Sequence, residues 1–288
     1  MKKKILVTGA TGFVGSYVVQ ALINCGMYEV IATSKSLEKA VAQSWYEDVV
    51  YISYLIGKDD ATNLYQYFLQ PDIVVHLAWE DLGDYDNLLH IEKHLFSHYG
   101  FLKNLVQNGL QHLVVSGTCF EYGMQEGCLH ESLCTAPVTT YGLAKDSLRK
   151  FLEELKKKYD FTFQWIRLFY MYGEGQAKKT LIAQLEDAIK RGDTEFKMSG
   201  GMQKRDYLAI TQIALNIVKI LSQTKVEGII NCGSGQACAI KDFVDAYAKS
   251  RGSNIGFTLG YYPYASYEPM EFYANIKKMD SIHEGSNE

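Results

Sequence analysis

Short, nearly unbroken apolar runs alternate along this chain with longer stretches in which apolar positions recur every three or four residues. The runs at residues 5–7, 28–33, 49–56, 72–79, 112–118 and 164–173, with a late one at 229–235, predict strands. The run at 72–79 has almost no polar interruption, as expected of a strand covered on both faces. The three- and four-residue rhythm predicts helices. One is carried by Val18, Val19, Leu22 and Ile23. A second spans residues 81–108, with Leu88, Leu89, Leu95, Phe96, Leu102, Leu105 and Val106 in its stripe. Others follow Tyr141 to residue 159 and cover residues 181–190 and 240–251. Strand and helix alternate, which predicts an α/β architecture. The aromatic and proline-rich stretch at 260–270 is expected to be an irregular loop, and the chain beyond Lys278 to be loosely ordered.

Composition narrows this little. A chain of 288 residues can be one α/β domain or a domain with a subdomain, and is long enough for a large core. A net charge of −4 offers no basic footprint for nucleic acid or a membrane surface. No apolar run approaches the roughly 18 residues that span a bilayer, and Lys2-Lys3-Lys4 with residues 5–7 is too short for a signal sequence. The six cysteines, at 25, 119, 128, 134, 232 and 238, form no C-x-x-C pair and accompany no histidine cluster. Free thiols in a reducing cytoplasm, with no metal site, is the expectation.

Candidate chemistry begins at Gly9-Ala10-Thr11-Gly12-Phe13-Val14-Gly15, between the first strand and the first helix. A turn that passes close to a pyrophosphate cannot carry side chains, and the helix that follows aims its free N–H groups and positive end at phosphates. Gly9, Thr11, Gly12, Phe13 and Val14 are therefore expected to hold a dinucleotide. The second strand ends in Thr33-Ser34-Lys35-Ser36, without the acid that binds a 2′-hydroxyl. Ser34 and Lys35 suit a 2′-phosphate, so NADP(H) is expected, NADPH over NADH; the other reading of Lys35 is a loop lysine. His76 reads as a structural histidine of a core strand, since no acid or cysteine partners it nearby. In Tyr141-Gly142-Leu143-Ala144-Lys145 the first and last residues share a helix face. An ammonium near the phenol is expected to lower its pKa, so that Tyr141 exchanges a proton near neutrality. Lys145 is also expected to hold the nicotinamide ribose.

The TGATGFVG segment, DIVVHLA at 72–78, SGTCFEYG at 116–123, YGLAK and RDYL at 205–208 occur in that order. Together they resemble the extended short-chain dehydrogenase/reductase superfamily, the NAD-dependent epimerase/dehydratase family, and within it the nucleotide-sugar 4-ketoreductases of deoxysugar biosynthesis. The resemblance covers residues 2–270. It implies a Rossmann fold, a doubly wound parallel sheet, over residues 1–170, and a smaller substrate-binding portion over 171–288 with strands returning to the main sheet. It places Leu77, Ala78, Trp79, Ser116 and Leu168 beside the cofactor, and Trp79 stands where a small residue is usual. It assigns the catalytic hydroxyl to Thr118, beside Tyr141 and Lys145. The substrate side then comprises Thr118, Cys119, Tyr141, Tyr170 (where an Asn is usual), Arg205 on a diphosphate, and Tyr261 from the aromatic tail. Arg205 could instead form a surface ion pair with Asp206 or Glu195, and the tail could simply be a packed loop. Glu121 and Cys119 fit no catalytic template. An adenine contact near Asp59 and Asp60 stays unassigned.

The implied reaction is reduction of a 4-keto-6-deoxy sugar nucleotide at C4, in polysaccharide or O-antigen biosynthesis, by a homodimer whose 81–108 helix packs on a twin subunit. A 4-epimerase with tightly held NAD is the alternative, disfavoured by the missing acid and the short chain. A 4,6-dehydratase lacks its Asp-Glu pair, since Cys119-Phe120 follow Thr118. A non-catalytic dinucleotide-binding protein would have no need of Thr118, Tyr141 and Lys145 together.

Overall fold

Seven of the apolar runs assemble into a single all-parallel sheet: β1 (Lys3–Thr8), β2 (Tyr28–Ser34), β3 (Val50–Ser53), β4 (Ile73–His76), β5 (His112–Thr118), β6 (Thr162–Leu168) and β7 (Gly228–Cys232), in the order β7-β6-β5-β4-β1-β2-β3. The computed structural model describes residues 2–58 and 62–284, so Asp59 and Asp60 lie outside the described residues. Every neighbouring pair in the sheet is parallel. That pattern requires crossovers, and helices supply them on both faces. On one face α1 (Phe13–Cys25) packs with α5 (Ile210–Leu221) over Ile5, Val7, Val75 and Ile166. On the other, α2 (Leu95–Gln107) and α3 (Thr140–Lys156) cover Leu6, Val74, Leu113 and Val115. The doubly wound Rossmann expectation is met. The strand order reverses at β1, which has β2 on one side and β4 on the other, and the crevice at that reversal is where ligands of such sheets sit.

The later residues build a smaller layer around α4 (Leu181–Arg191) and α6 (Ile240–Ser250), which share a core of Leu185, Phe196, Val244 and Tyr247. Two-stranded ribbons tie it together: Tyr170–Tyr172 lies parallel to Tyr207–Ala209, and Gly127–Leu129 parallel to Phe272–Ala274. α5 and β7 return to the main sheet.

Three expectations need correction. The predicted strand at 164–173 is two strands. At Phe169 the chain leaves the sheet, with Phe169 N–H donating to Cys232 O and Tyr170 N–H to Asp206 O, and it then pairs with Tyr207–Ala209. The predicted helix over 81–108 starts only at a π-helical turn, His90–His94, which runs into α2. Asp81 takes a left-handed φ of 57°, and the segment before the turn is a loop whose Tyr85 carbonyl accepts from Tyr141 N–H (2.9 Å) and Thr140 Oγ1 (2.8 Å). A helix there could not lend that carbonyl to the start of α3. As far as Glu284 the chain after Lys278 is not loose: α7 (Lys277–Glu284) buries Met279 and Ile282 and packs against β7 and α5. Residues 285–288 lie outside the described residues.

Candidate active site

The glycine turn connects β1 to α1 at the reversal point. Gly9 adopts φ +68°, and a Cβ there would lie 2.8 Å from the Ala78 backbone; a Cβ on Gly15 would lie 2.1 Å from Gly9 O. These two glycines let α1 and the exit of β4 close on the turn. Gly12 is the N-cap of α1, no side chain caps it, and no acid occupies the first turn. The positive helix end, with the turn's backbone at Thr11, Gly12, Phe13 and Val14, is left for an anion, which fits a dinucleotide pyrophosphate.

Thr8 fixes the opposite lip. Its hydroxyl accepts from Leu77 N–H (3.2 Å) and Ala78 N–H (3.3 Å) and bonds His76 Nδ1 (2.9 Å). His76 is fully buried, and its Nε2 meets His98 Nδ1 at 2.8 Å. Burial, then the Lys145 charge, push its pKa down to about 3, and burial also holds His98 well below the usual range. Both are neutral at ordinary pH, in keeping with the structural reading of His76. Ser116 Oγ donates to His76 O (3.3 Å), and Leu168 ends β6 in register with Thr118.

The 2′-phosphate cradle expected at the end of β2 is occupied by other bonds. Lys35 Nζ is ion-paired with Glu80 Oε1. Ser34 Oγ bonds the Tyr51 hydroxyl (2.9 Å), and Ser36 Oγ caps the short helix Leu37–Val41 by accepting from Lys39 N–H (3.2 Å).

Thr118 and Tyr141 come together, as the sequence implied. Thr118 ends β5. Tyr141 stands in the first turn of α3, whose cap Thr139 accepts from Gly142 N–H (3.1 Å). The Thr118 side chain lies near enough to the Tyr141 hydroxyl to favour its ionisation, but burial outweighs this and pushes the phenol above its ordinary value of 10. Lys145, one turn along, is buried, and its ammonium lies 4.5 Å over the Trp79 ring and 5.5 Å from that of Trp165. Burial lowers its pKa to about 7, with Glu121 acting in the opposite sense. The expected lowering of the tyrosine pKa by the lysine is thus absent: Lys145 faces two indoles, and burial dominates both groups. Trp79 itself stacks on His98 (4.6 Å between ring centroids) and donates Nε1–H to His90 Nδ1 (3.1 Å).

Sequence reasoning passed over Glu121. It is fully buried beneath the site. Its Oε1 accepts from Thr118 N–H (2.9 Å) and Trp165 Nε1–H (2.9 Å), and its Oε2 from Arg167 Nε–H (2.7 Å). The readable signal is the Thr118-x-x-Glu121 capping box.

On the substrate side, Cys119 is buried and its thiol pushed well up by burial, so it stays protonated. Tyr170 donates its hydroxyl to Glu268 Oε1 (2.5 Å), and Arg205 Nη2 donates to Glu268 Oε2 (2.8 Å). Arg205 is therefore neither exposed nor paired with Asp206 or Glu195. Asp206 is fully occupied elsewhere, accepting from the N–H groups of Ser234, Gly235 and Ala274 and from Ser234 Oγ. The tail reaches the site through Tyr267 and Glu268: Tyr267 lies 6.0 Å from both Phe120 and Tyr85, and Tyr85 stacks on Tyr141 at 5.5 Å. Tyr261 sits apart, 54% exposed with Lys197 over its ring. Among the described residues no group of His, Cys, Asp or Glu is arranged to hold a metal ion, and no helix is long and apolar enough to cross a membrane.

A family model described as the NAD dependent epimerase/dehydratase family matches residues 5–233. The chain is 26% identical over 273 residues to the dTDP-6-deoxy-L-talose 4-dehydrogenase (NAD(+)) of Aggregatibacter actinomycetemcomitans, covering 92% of this chain and 97% of that protein. It is 25% identical over 276 residues to the dTDP-4-dehydro-6-deoxyglucose reductase of Escherichia coli, covering 89% of this chain and 85% of that protein. In fold it is similar to the UDP-N-acetylglucosamine 4-epimerase from Methanobrevibacter ruminantium M1 in complex with UDP-N-acetylmuramic acid, with a TM-score of 0.84, 22% identity, and coverage of 98% of this chain and 92% of that one.

Proposed function

The chain belongs to the NAD dependent epimerase/dehydratase family, enzymes of nucleotide-sugar CH–OH and keto groups, and within it we propose that this protein reduces a 4-keto-6-deoxy sugar nucleotide at C4. A nicotinamide dinucleotide held by the glycine turn supplies the hydride-transfer chemistry. Tyr141 donates its proton to the carbonyl oxygen as that oxygen gains charge. The Thr118 hydroxyl hydrogen-bonds the same oxygen and orients it. Lys145, one helical turn from Tyr141, is the residue proposed to hold the nicotinamide ribose.

The observation that carries this reading is the pairing of Thr118 with Tyr141 in a site where a buried, protonated Cys119 and then Phe120 follow the threonine. Water elimination would need an acid and a base at those two places. The two relatives, a 4-dehydrogenase and a 4-dehydro reductase of dTDP-linked 6-deoxyhexoses, act at the same carbon and support a deoxysugar substrate. Cys119, Tyr170 and Arg205 are the residues proposed to face it, with Arg205 moving between Glu268 and the substrate diphosphate. We further read the chain as a homodimer.

The test is stoichiometry. With a dTDP-4-keto-6-deoxyhexose, one reduced nucleotide should be oxidised per sugar reduced. Tyr141→Phe should cut turnover by at least about 10²-fold, the lower range for a lost general acid, while dinucleotide and sugar nucleotide still bind. Sugar interconversion without net oxidation of nucleotide would make the protein an epimerase, and near-normal turnover by the phenylalanine variant would remove Tyr141 from the mechanism.

A further inference from the structure

His90 is a fully buried histidine that the reaction above does not use. It opens the π-helical turn His90–His94, and such turns are rare and gather at functional sites. Its two ring nitrogens reach in two directions. Nδ1 accepts from the Trp79 indole N–H at 3.1 Å, and Nε2 lies 2.9 Å from the Asp84 carbonyl oxygen. An indole N–H only donates and a carbonyl only accepts. Both bonds together therefore require the neutral ring with its proton on Nε2.

Each bond leads to one side of the catalytic tyrosine. Trp79, at the exit of β4, has the Lys145 ammonium 4.5 Å over its ring, and that lysine is one turn along α3 from Tyr141. Asp84 precedes Tyr85, whose carbonyl accepts from Tyr141 N–H (2.9 Å) and Thr140 Oγ1 (2.8 Å) and whose ring stacks on Tyr141 with centroids 5.5 Å apart. Tyr85 also meets Phe120 at 5.0 Å, on the substrate side. The His90 ring itself lies 5.4 Å from that of Tyr141. Leu82, Leu88 and Leu89 of this segment are exposed, so its place is set by Tyr85 and by hydrogen bonds such as that to His90.

We infer that His90 is a positioning residue: one ring fixes both the indole that bears the Lys145 ammonium and the loop that sets Tyr85 over Tyr141, so the cofactor edge and the substrate edge keep a fixed relation across the phenol. The two bonds act on different steps. The indole bond places Lys145 and so serves turnover. The Asp84 bond places the wall at Tyr85 and so serves the grip on the sugar nucleotide. This rests on the reading of Thr118, Tyr141 and Lys145 given above.

Two half-mimics separate the bonds. The amide of Asn can stand at Nδ1 and that of Gln at Nε2. His90→Asn thus keeps the acceptor for Trp79 and loses Asp84, while His90→Gln keeps the donor for Asp84 and loses Trp79. NMR of the indole N–H signals reports the first bond directly; the chain has three tryptophans, and Trp79→Phe assigns the signal. It should hold its place in His90→Asn and move upfield in His90→Gln. With a dTDP-4-keto-6-deoxyhexose and reduced dinucleotide, His90→Asn should raise KM for the sugar and His90→Gln should lower kcat, each by a few-fold to about tenfold, the scale of one neutral hydrogen bond. His90→Phe keeps an aromatic ring, loses both bonds and should show both effects; thermal midpoints check that the variants fold. Equal losses of kcat and KM in the Asn and Gln variants would make His90 a packing residue and overturn the inference. So would a Trp79 signal unmoved in His90→Gln, or wild-type kinetics in His90→Phe. A wild type that reduces no keto sugar overturns the function proposed above and, with it, this role.

Discussion

Replacing Glu121 by Gln tests whether the carboxylate under the site holds the catalytic threonine. The side chain is fully buried and accepts from three donors on two neighbouring strands: the Thr118 N–H at the end of β5, and the Trp165 indole and Arg167 guanidinium on β6. A glutamine of the same shape offers one acceptor and one donor. Placed to serve Thr118 and Trp165, it turns its NH2 group on Arg167 Nε–H; flipped, it opposes two N–H groups instead. Either way a charge-assisted bond worth about 1.5–3 kcal/mol is lost. Arg167, itself fully buried with Tyr122 4.3 Å beneath its guanidinium, is left without its carboxylate. Breaking one half of a buried pair typically costs about 3–5 kcal/mol in all. Arg149 adds little, since it lies 3.8 Å from Glu121 and keeps Asp146 (2.7 Å) and Glu153 (2.6 Å). Against a whole stability of about 5–15 kcal/mol this is a large loss. Urea unfolding at low temperature should show it as a lower midpoint at unchanged slope. Adding Arg167→Met should recover part of it, because the stranded charge is then gone. A Glu121→Gln variant within 1 kcal/mol of wild type would refute the reasoning.

Two further outcomes follow from the same structure. Lys145 sits at about 7 in the fold against an ordinary 10.5, so between those pH values the unfolded chain binds the extra proton and stability rises with pH; the cost is fully present below pH 7 and gone above 10.5. At about 1.36 kcal/mol per pH unit that is roughly 4–5 kcal/mol, less about 2 kcal/mol for the Trp79 ring under the ammonium; Lys145→Met should therefore stabilise the fold by about 2 kcal/mol at pH 6 and by much less at pH 10, and equal shifts at both would show that the lysine is not held down. On the outer face, Phe96 on α2 and Leu143 and Phe151 on α3 are exposed together with Leu88 and Leu89, an apolar area of the kind that seats a partner. Sedimentation velocity should give twice the chain mass for the wild type and the single mass for Phe96→Glu; a wild-type monomer would rule out a second copy as the occupant.

What could be read from the sequence was what rests on local periodicity. The glycine turn is a run of neighbours, Tyr141 and Lys145 are one helical turn apart, and β4 is a solid apolar run, so each is visible without the fold. The loop at 81–89 escapes the same rule: Leu88 and Leu89 suit a helical stripe, yet both are exposed, because the segment is held by what it gives to α3 and not by its own apolar face. The contacts that define the site's electrostatics join distant positions. Glu121 meets Arg167 46 residues on, Arg205 meets Glu268 63 residues on, and Lys35 meets Glu80 45 residues on. No spacing rule spans such gaps; only the sheet order brings them together.

Trp79 shows how one such contact bears on the proton of Tyr141. A small residue at the exit of β4 would leave Lys145 free to approach the phenol. The indole stacked on His98 instead takes the ammonium onto its face at 4.5 Å. Tyr141 is then governed by burial and by its neighbour Tyr85, with only the Thr118 hydroxyl acting the other way, and it keeps its proton well past neutrality. A phenol that holds its proton is a poor base for taking hydrogen from a sugar hydroxyl. It is a suitable acid for a carbonyl oxygen that is becoming an alkoxide, since the alkoxide is far more basic than the phenolate left behind. Trp79 thus leaves Tyr141 to burial, which suits the proton-donor role proposed for it, and does so without touching the tyrosine hydroxyl.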